Sequence, residues 1–465
     1  MNHDLTNGPI IRTMLRFALP MILGDLLQQC YNIADTLIVG RVLGADALAA
    51  VGSAFSLMTF LTSILLGLAM GSGTVFSIRF GQKKTDALKE CVLASFVLLG
   101  SVTLILNVLV YLGIDWIIQI LQIPQSLVKM MHDYLIVIFA GLAAIFLYNF
   151  FAALLRSLGN SIIPLVFLAV SAVLNIVLDL WFVAGLHRGV DGAAEATVLS
   201  QYVSGIGIAL YTALRFPQLF HRGDGGIRLR LSRIREITGF SALTCLQQSI
   251  MNLGILAVQG LVNSFGPAIM AAFAAGVKID AFAYLPVQDF GNAFSIFIAQ
   301  NYGAGRHQRI RKGIRAAMLT TAVFGALISA GVIVFAQPLM TMFIDGAQTA
   351  IITEGVRYLR IEGAFYPLIG LLFLFYGIYR ALGRPDMSLL LTIASLGSRV
   401  FLAYALSSLP GIGVTGIWRS VPIGWLLADL LGLVRLFQKI HFQVVLQKLG
   451  NGLPHKFVGD GLFCL

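Results

Sequence analysis

Long apolar segments alternate with short polar loops along almost the whole of this 465-residue chain. Each segment holds about 20 or more predominantly apolar residues, which is the length that a helix needs to cross the hydrocarbon core of a membrane. The pattern predicts twelve such helices, at residues 15–39, 47–77, 89–113, 128–155, 161–185, 191–216, 236–263, 268–300, 314–336, 352–380, 386–408 and 414–438. We therefore expect an all-α polytopic membrane protein.

The first apolar segment follows Arg12 and Arg16, an arrangement that is also typical of a cleavable signal peptide. Its roughly 25 residues exceed the 7–15 apolar residues of a signal. It also contains Pro20, Asp25 and Asp35. We expect it to remain in the protein as the first membrane helix.

The distribution of Lys and Arg predicts the orientation of these helices. With the N-terminus inside, 24 of the 32 Lys and Arg residues lie in segments on the inner side. Such an excess is typical of the cytoplasmic side of a membrane protein. We expect both termini in the cytoplasm, and the net charge of +11 then reflects basic loops rather than a nucleic-acid-binding surface.

The composition agrees with a lipid environment, because 58% of the residues are hydrophobic, 11% are charged and the mean hydropathy is +0.87. Soluble proteins carry about 25% charged residues. A soluble protein with a single membrane anchor is therefore excluded. The four cysteines are scattered and predict neither a disulfide framework nor a zinc site.

Four short motifs recur in the same order in both halves of the chain. Leu26-Leu27-Gln28-Gln29, Phe80-Gly81, Arg156-Ser157-Leu158-Gly159 and Gly189-Val190-Asp191-Gly192 have counterparts 219, 222, 224 and 224 residues later. A repeat with an even number of helices keeps its orientation, so we expect two pseudo-symmetric six-helix bundles around a central cavity. We assign residues 1–220 to an N-lobe, 221–235 to a cytoplasmic linker, 236–440 to a C-lobe and 441–465 to a cytoplasmic tail.

Several reaction motifs are missing from the sequence. It has no P-loop for nucleotide hydrolysis, no H-E-x-x-H zinc motif and no TVGYG potassium filter. All seven histidines fall in loops, tails or helix ends, so a general base at membrane depth would lack its usual residue. These absences predict a carrier driven by an ion gradient, without enzymatic activity, cofactor or resident metal.

Acidic residues inside the apolar segments need a reason, because a charge at a helix centre costs at least ~2.5–3.5 kcal/mol. Counted from the predicted helix ends, four polar residues lie roughly 6–9 Å below the outer rim, namely Asp35, Tyr134, Asp179 and Thr197. Tyr31 and Asn175 lie one helical turn from the two carboxyl groups and face the same way.

These six residues predict a binding site for H⁺ or Na⁺. Two carboxylates in one low-dielectric pocket cannot both ionise cheaply, so one should hold a proton. A sodium ion among the oxygen ligands would serve equally. The alternative is that Asp35 and Asp179 only form hydrogen bonds between packed helices.

Further polar residues form stripes at helical spacing. The first helix carries Asp25, Gln28, Gln29 and Asn32, and the seventh carries Gln248 and Asn252. These side chains either line a substrate cavity together with Tyr31 and Tyr134, or join packed helices.

Three acidic residues of the C-terminal half, Asp280, Asp289 and Glu362, are open to a functional or a structural interpretation. We place Asp289 and Glu362 on the cavity wall as candidate substrate contacts. Pro20 in the first helix removes a backbone hydrogen bond and permits a bend. Whether that bend is static or follows protonation of Asp35 stays open.

The ordered set of residues resembles the multidrug and toxic compound extrusion (MATE) family of cation-coupled exporters. The resemblance covers nearly the whole chain. Besides Pro20 and the Leu-Leu-Gln-Gln and Arg-Ser-Leu-Gly motifs above, it rests on Tyr31-Asn32-Ile33-Ala34-Asp35-Thr36, Val39-Gly40-Arg41, Leu48-Ala49-Ala50-Val51-Gly52 and Gln300-Asn301-Tyr302-Gly303-Ala304-Gly305.

Within that family the chain is most similar to the bacterial DinF-like branch. This resemblance implies two lobes in a V and a cation site in the N-lobe, formed by Asp35, Asn175, Asp179 and Thr197. The NorM-like branch has a C-lobe cation site with acidic residues on the seventh and tenth helices. Such a site is not expected here, because the seventh helix has Gln247-Gln248 and the tenth is apolar after Pro367.

We expect an antiporter that exports amphipathic, cationic drugs or toxic organic compounds by alternating access, coupled to H⁺ or Na⁺. The alternatives are export of an endogenous metabolite and, in a related two-lobed class, flipping of a lipid-linked oligosaccharide, which would need a cavity rich in Arg and Lys. The expected location is the bacterial plasma (inner) membrane. The expected partners are a small amphipathic substrate and membrane lipid, with no nucleic acid, and we expect a monomer.

Overall fold

The computed structural model describes residues 4–120, 124–220 and 230–449, and the regular elements within these ranges are helices. Those of the N-terminal half are α1 (Ile10–Val42), α2 (Ala45–Gly81), α3 (Thr85–Leu112), α4 (Ile114–Ile120), α5 (Gln125–Ala140), α6 (Leu142–Ser157), α7 (Ile162–Asp179) and α8 (Val190–Arg215). A π-helical segment, Leu180–Gly185, continues α7, and a 3-10 turn, Pro217–Leu219, follows α8.

The helices of the C-terminal half are α9 (Leu231–Asn263), α10 (Pro267–Gly303), α11 (His307–Thr341), α12 (Thr349–Gly363), α13 (Tyr366–Ala381), α14 (Pro385–Ser407) and α15 (Val414–Leu449). Their order repeats that of the N-terminal half, because α9 and α10 correspond to α1 and α2 by the offsets of the sequence motifs.

Within the described ranges, ten spans are long and apolar enough to cross a membrane, if α5–α6 and α7 with its π-helical segment each count once. α12 and α13 form an eleventh span with a bend of 50°. α1 is 33 residues long but less apolar, because it carries the polar stripe from Asp25 to Asp35. The predicted all-α polytopic fold is confirmed.

The structure differs from the predicted helices at several places. Residues 128–155 are divided into α5 and α6, and the short helix α4 was not predicted. Residues 352–380 form two helices instead of one, and Pro367 in the first turn of α13 favours a new helix start because it has no N–H to donate. α15 runs on to Leu449, past its predicted end at 438. The predicted linker 221–235 lies outside the described residues up to 229, and so does the predicted tail from 450 onward.

The two halves meet at one end of the molecule, which we call the basic end because it carries Arg79, Lys83, Lys84, Arg306, Arg311 and Lys312. There α2 crosses α10 at Gly81 and Gly303, which are equivalent positions of the two repeats. A Cβ atom on Gly81 would lie 2.1 Å from the Gln300 carbonyl oxygen, and one on Gly303 would lie 2.1 Å from the Ile78 carbonyl oxygen. Only glycine permits this approach.

α2 also packs closely on α9. Gly67 and Gly71 lie on the backbone of α9, where added Cβ atoms would come within 2.5 Å of the Cys245 Cα and 2.6 Å of the Ser241 Cα. The hydroxyl groups of Ser72 and Ser241 form a hydrogen bond of 2.9 Å. One helix of the N-terminal half is thereby fixed to two helices of the other half.

The N-terminal segment before α1 adds to this closure. Leu5 is fully buried, and its N–H donates a hydrogen bond of 3.1 Å to the side-chain oxygen of Gln300. The side-chain amide of Gln300 donates in turn to the Ser157 carbonyl oxygen, at 2.7 Å. Gln300 therefore links the chain start, the end of α6 and α10.

The halves separate toward the opposite end, which we call the open end. Gly52 on α2 and Gly260 on α9 lie in the parts of these helices that are remote from the basic end. A Cβ atom on either glycine would meet no group within 4 Å. The two lobes thus form a V that is closed at the basic end, as the resemblance to the MATE family implies.

We expect Gly81→Ala to destabilise the closed end, because the new methyl group would clash with the Gln300 carbonyl oxygen. Overpacking of this kind costs about 1–3 kcal/mol, so the melting temperature of the purified protein should fall. Gly260→Ala is the control, since its methyl group has space and alanine favours a helix. Equal melting temperatures for Gly81→Ala and the unmodified protein would contradict this account of the crossing.

Candidate cation-coupling site

The two acidic residues predicted at one depth are neighbours in the N-terminal half. Asp35 lies on α1, and Asp179 is the last residue of α7. Their carboxyl groups face each other. Asp179 is 0% exposed and Asp35 is partly exposed, so Asp179 sits in packed protein and Asp35 lies at its edge.

Asn175 and Thr197 complete the polar lining beside Asp179. Asn175 lies one turn before Asp179 on α7, and its side-chain amide donates a hydrogen bond of 3.3 Å to the Thr197 hydroxyl oxygen on α8. This bond holds the side-chain oxygen of Asn175 in a fixed orientation. The spacing of four residues is what puts the amide and the carboxyl group on one helix face.

Two phenols complete the site, one from α1 and one from α5. Tyr31 on α1 and the buried Tyr134 on α5 both lie beside Asp35 and Asp179. The structure therefore brings together the four residues placed at one depth and the two placed one helical turn away. Helix periodicity is a local property, so counting along the helices was sufficient to find these six.

The backbone changes its geometry immediately after Asp179. The α-helical hydrogen bonds of α7 give way to the π-helical segment Leu180–Gly185. Short π-helical segments often occur at functional sites. Here the segment begins at the residue that follows the buried carboxyl group.

Four acceptor oxygens in this site lack a donor. They are Oδ1 of Asp35, Oδ1 and Oδ2 of Asp179 and Oδ1 of Asn175, all buried and without a hydrogen-bond partner among the described residues. Leaving such groups unpaired is costly in an apolar environment. A proton on one carboxyl group, or a sodium ion among the oxygens, would satisfy them, because hard cations prefer oxygen ligands.

The residues predicted to line the cavity fall into two groups. Gln28 and Asn32 on α1, like Gln248 and Asn252 on α9, are exposed or partly exposed, as residues on the wall of an open cleft would be. Asp289 and Glu362 are each 4% exposed. These two carboxyl groups are packed within the protein in this conformation.

A buried polar cluster in the C-terminal half accounts for Asp280 and Glu362. Asp280 accepts hydrogen bonds from the hydroxyl groups of Tyr358 and Tyr366. The Tyr358 hydroxyl oxygen also lies 3.1 Å from Oε2 of Glu362. Sequence reasoning missed both tyrosines, although the spacing of Tyr358 and Glu362 along one helix is a usable signal.

The C-terminal repeat does not duplicate the cation site. With the offset of 224 residues, Tyr134 corresponds to Tyr358. Three other positions change character at the same offset, because Asn175 corresponds to Arg399, Asp179 to Ala403 and Thr197 to Val421. The position equivalent to Asp179 thus has no carboxyl group.

α1 passes through Pro20 without interruption from Ile10 to Val42. Pro20 cannot donate a backbone hydrogen bond to the carbonyl group of Arg16, one turn earlier. This weakens the helix between the basic end and the site. A bend at Pro20 that follows protonation remains a prediction.

Two lobes of membrane-spanning helices around a cleft, with buried carboxyl groups at depth, define a secondary transporter. The MatE family is the one whose sequence model matches, at residues 20–181 and again at 244–405. The chain belongs to the MatE family. Its members are transporters rather than enzymes, and the predicted resemblance is confirmed.

Relatives across this family align with nearly the whole chain. The probable multidrug resistance protein YpnP of Bacillus subtilis is 29% identical, with 92% of this chain and 95% of that protein covered. The FAD transporter of Shewanella oneidensis is 26% identical, with coverage of 90% and 93%. The multidrug export protein MepA of Staphylococcus haemolyticus is 24% identical, with coverage of 89% and 90%.

Solved structures show the same fold. An outward-facing multidrug resistance MATE transporter of the MOP superfamily superposes with a TM-score of 0.88 at 22% identity, covering 94% of this chain and 97% of that one. A MATE protein in the bent conformation gives a TM-score of 0.88 at 22% identity, with coverage of 96% and 98%.

We expect Thr197→Val to weaken cation binding at this site, because it removes one oxygen and frees the Asn175 amide. The loss of one such interaction costs about 1–2 kcal/mol, or roughly 5- to 30-fold in affinity. The measurement is the cation-dependent rise in melting temperature across titrations of pH and of NaCl. Thr197→Ser keeps the hydroxyl group and is the control, and an unchanged titration midpoint in Thr197→Val would contradict the assignment.

Proposed function

We propose that this protein is a cation-coupled antiporter that exports amphipathic, cationic organic compounds by alternating access. The observation that carries the proposal is the set of buried, unpaired oxygens on Asp35, Asp179 and Asn175. The names of the relatives in Bacillus and Staphylococcus support multidrug efflux. The coupling cation is H⁺ or Na⁺.

The proposed cycle starts with the lobes in the V-shaped arrangement. A cation enters from the open end and binds at Asp35 and Asp179, which weakens substrate binding and releases the substrate. The loaded protein then closes the open end and separates at the basic end. There the cation leaves and new substrate enters.

The membrane potential supplies enough energy for this exchange. One elementary charge that moves through ~100 mV gains about 2.3 kcal/mol. That free energy corresponds to roughly fiftyfold accumulation when one charge is exchanged. A chemical gradient of the same cation would add to it.

We infer that the basic end faces the cytoplasm of a bacterial cell, because positive loops favour that side. The V then opens outward, and the chain start that packs at the basic end lies inside. We place the protein in the bacterial plasma membrane, as a monomer surrounded by lipid and without a cofactor. Its assignment to the DinF-like branch rests on the arrangement of Asp35, Asn175, Asp179 and Thr197.

A metabolite exporter is the second candidate, supported by the relative named as an FAD transporter. That substrate is anionic, whereas a drug of the proposed class is cationic. The test therefore offers both types of compound.

The test is efflux from proteoliposomes that contain the purified protein. One set is loaded with ethidium and another with FAD, and each is exposed first to an imposed pH gradient and then to an imposed sodium gradient. We expect gradient-dependent loss of ethidium. Export of FAD alone would favour the metabolite exporter. An efflux rate that depends on neither the pH gradient nor the sodium gradient would contradict cation coupling.

We expect Asp35→Asn to reduce gradient-driven efflux at least tenfold while the protein keeps its melting temperature. The amide has nearly the shape of the carboxyl group but can neither bind a proton nor carry charge. Asp46→Asn is the matched control, because Asp46 is exposed at the start of α2. Normal ion-driven efflux by Asp35→Asn would remove Asp35 from the coupling site.

A further inference from the structure

Two carboxyl groups from different lobes meet where α1 packs against α10. Asp25 on α1 lies beside Asp289 on α10. Asp289 is 4% exposed, and its buried Oδ2 atom has no hydrogen-bond partner among the described residues. Two ionised carboxylates in such surroundings would repel each other strongly.

The repeat shows that packing does not demand this pair. By the offsets of the neighbouring motifs, Asp25 corresponds to Thr244 on α9 and Asp289 corresponds to Gly67 on α2. At that equivalent contact, a Cβ atom on Gly67 would lie 3.1 Å from the Thr244 carbonyl oxygen, and the Thr244 hydroxyl donates to the Phe240 carbonyl oxygen at 2.8 Å. One contact is neutral and close, and the other brings two acids together.

The charged groups around the pair identify the ligand. Asp289 faces Asp25 from α1 and Arg156 from α6. Asn292 lies one turn further along α10, and its side-chain oxygen accepts a hydrogen bond of 3.3 Å from Arg380 of α13. Two nearby guanidinium groups oppose any added positive charge, and a metal cation would also need several oxygen ligands, whereas a proton needs only the two facing carboxyl groups. A proton between two carboxyl oxygens satisfies both and leaves only one negative charge.

We propose that Asp25 and Asp289 form a proton-binding site between the lobes, and that one shared proton keeps the basic end closed. The proton bridges one oxygen of each carboxyl group. When it leaves to water, two carboxylates face each other and the closed arrangement loses stability. Tyr148, which lies beside Asp25, is a phenol and does not take part between pH 5 and 9.

This site is separate from the cation-coupling site. Asp25 and Asp35 are ten residues apart on α1, which is about 15 Å along a helix. The inference uses the alternating-access part of the proposed function, but it concerns the balance between conformations rather than transport. Its test therefore measures a distance and needs no substrate.

The experiment places spin labels at Asp86→Cys on α3 and Gln308→Cys on α11, after the four native cysteines are replaced by serine. Both positions are exposed, lie next to the basic end and are equivalent in the two repeats. Pulsed electron–electron double resonance gives the distribution of distances between the two labels, measured from pH 5 to pH 9. We expect the short, closed distance at low pH, and a closed-to-open ratio that falls up to tenfold per pH unit above the midpoint.

Neutral variants separate the two sites. Asp289→Asn can donate its amide N–H to Asp25, which mimics the protonated pair, so the closed distance should persist at every pH. Asp25→Asn should also keep the closed distance at every pH. It replaces Asp289→Asn in the test if Asp289→Asn does not fold. Asp35→Asn and the surface control Asp46→Asn should keep the pH response.

A pH response that survives in both Asp25→Asn and Asp289→Asn would overturn the proposal. So would a response that disappears only in Asp35→Asn, because the titrating group would then be the coupling site. An antiporter assay that shows no cation coupling, together with a distance that still depends on Asp25 and Asp289, would reject the proposed function and leave this inference intact.

Discussion

A carboxyl group inside a bundle of membrane helices needs a hydrogen-bond donor, a proton or a cation. This requirement distinguishes the buried acidic residues of the protein from one another. Asp280 is satisfied by the hydroxyl groups of two tyrosines. Asp35 and Asp179 keep oxygens that no group in the described part of the chain satisfies. Both oxygens of Asp280 thus have donors, whereas the second arrangement leaves oxygens open to a proton or a cation, as the proposed function requires.

The internal repeat duplicates the backbone but not the chemistry. Gly81 and Gly303 make the same close contact from opposite lobes, so the symmetric crossing of α2 and α10 closes the basic end. At another pair of equivalent positions the side chains differ, because the N-terminal half has Asp179 and the C-terminal half has Ala403. In the proposed cycle, both lobes move about this symmetric crossing, and the asymmetry of the carboxyl groups places cation binding in one lobe.

The sequence predicted what depends on helix periodicity and failed where packing between distant helices decides. Depth and spacing brought Asp35, Asn175, Asp179 and Thr197 together, since these residues lie at countable positions on adjacent helices. The bend before Pro367 and the buried roles of Tyr358 and Tyr366 were not predicted, because these residues look like ordinary members of an apolar segment. The contact between Asp25 and Asp289 also depends on how two lobes meet, which no single segment encodes.

The most direct measurement of the central claim is the movement of the cation itself. Proteoliposomes with an outward gradient of ethidium, and with no imposed ion gradient, should take up H⁺ or Na⁺ in a fixed ratio to the ethidium that leaves. Uptake would be followed with an internal pH dye and with radioactive sodium. The account predicts inward cation flux that Asp179→Asn abolishes, and ethidium efflux without any opposing cation flux in the unmodified protein would contradict it.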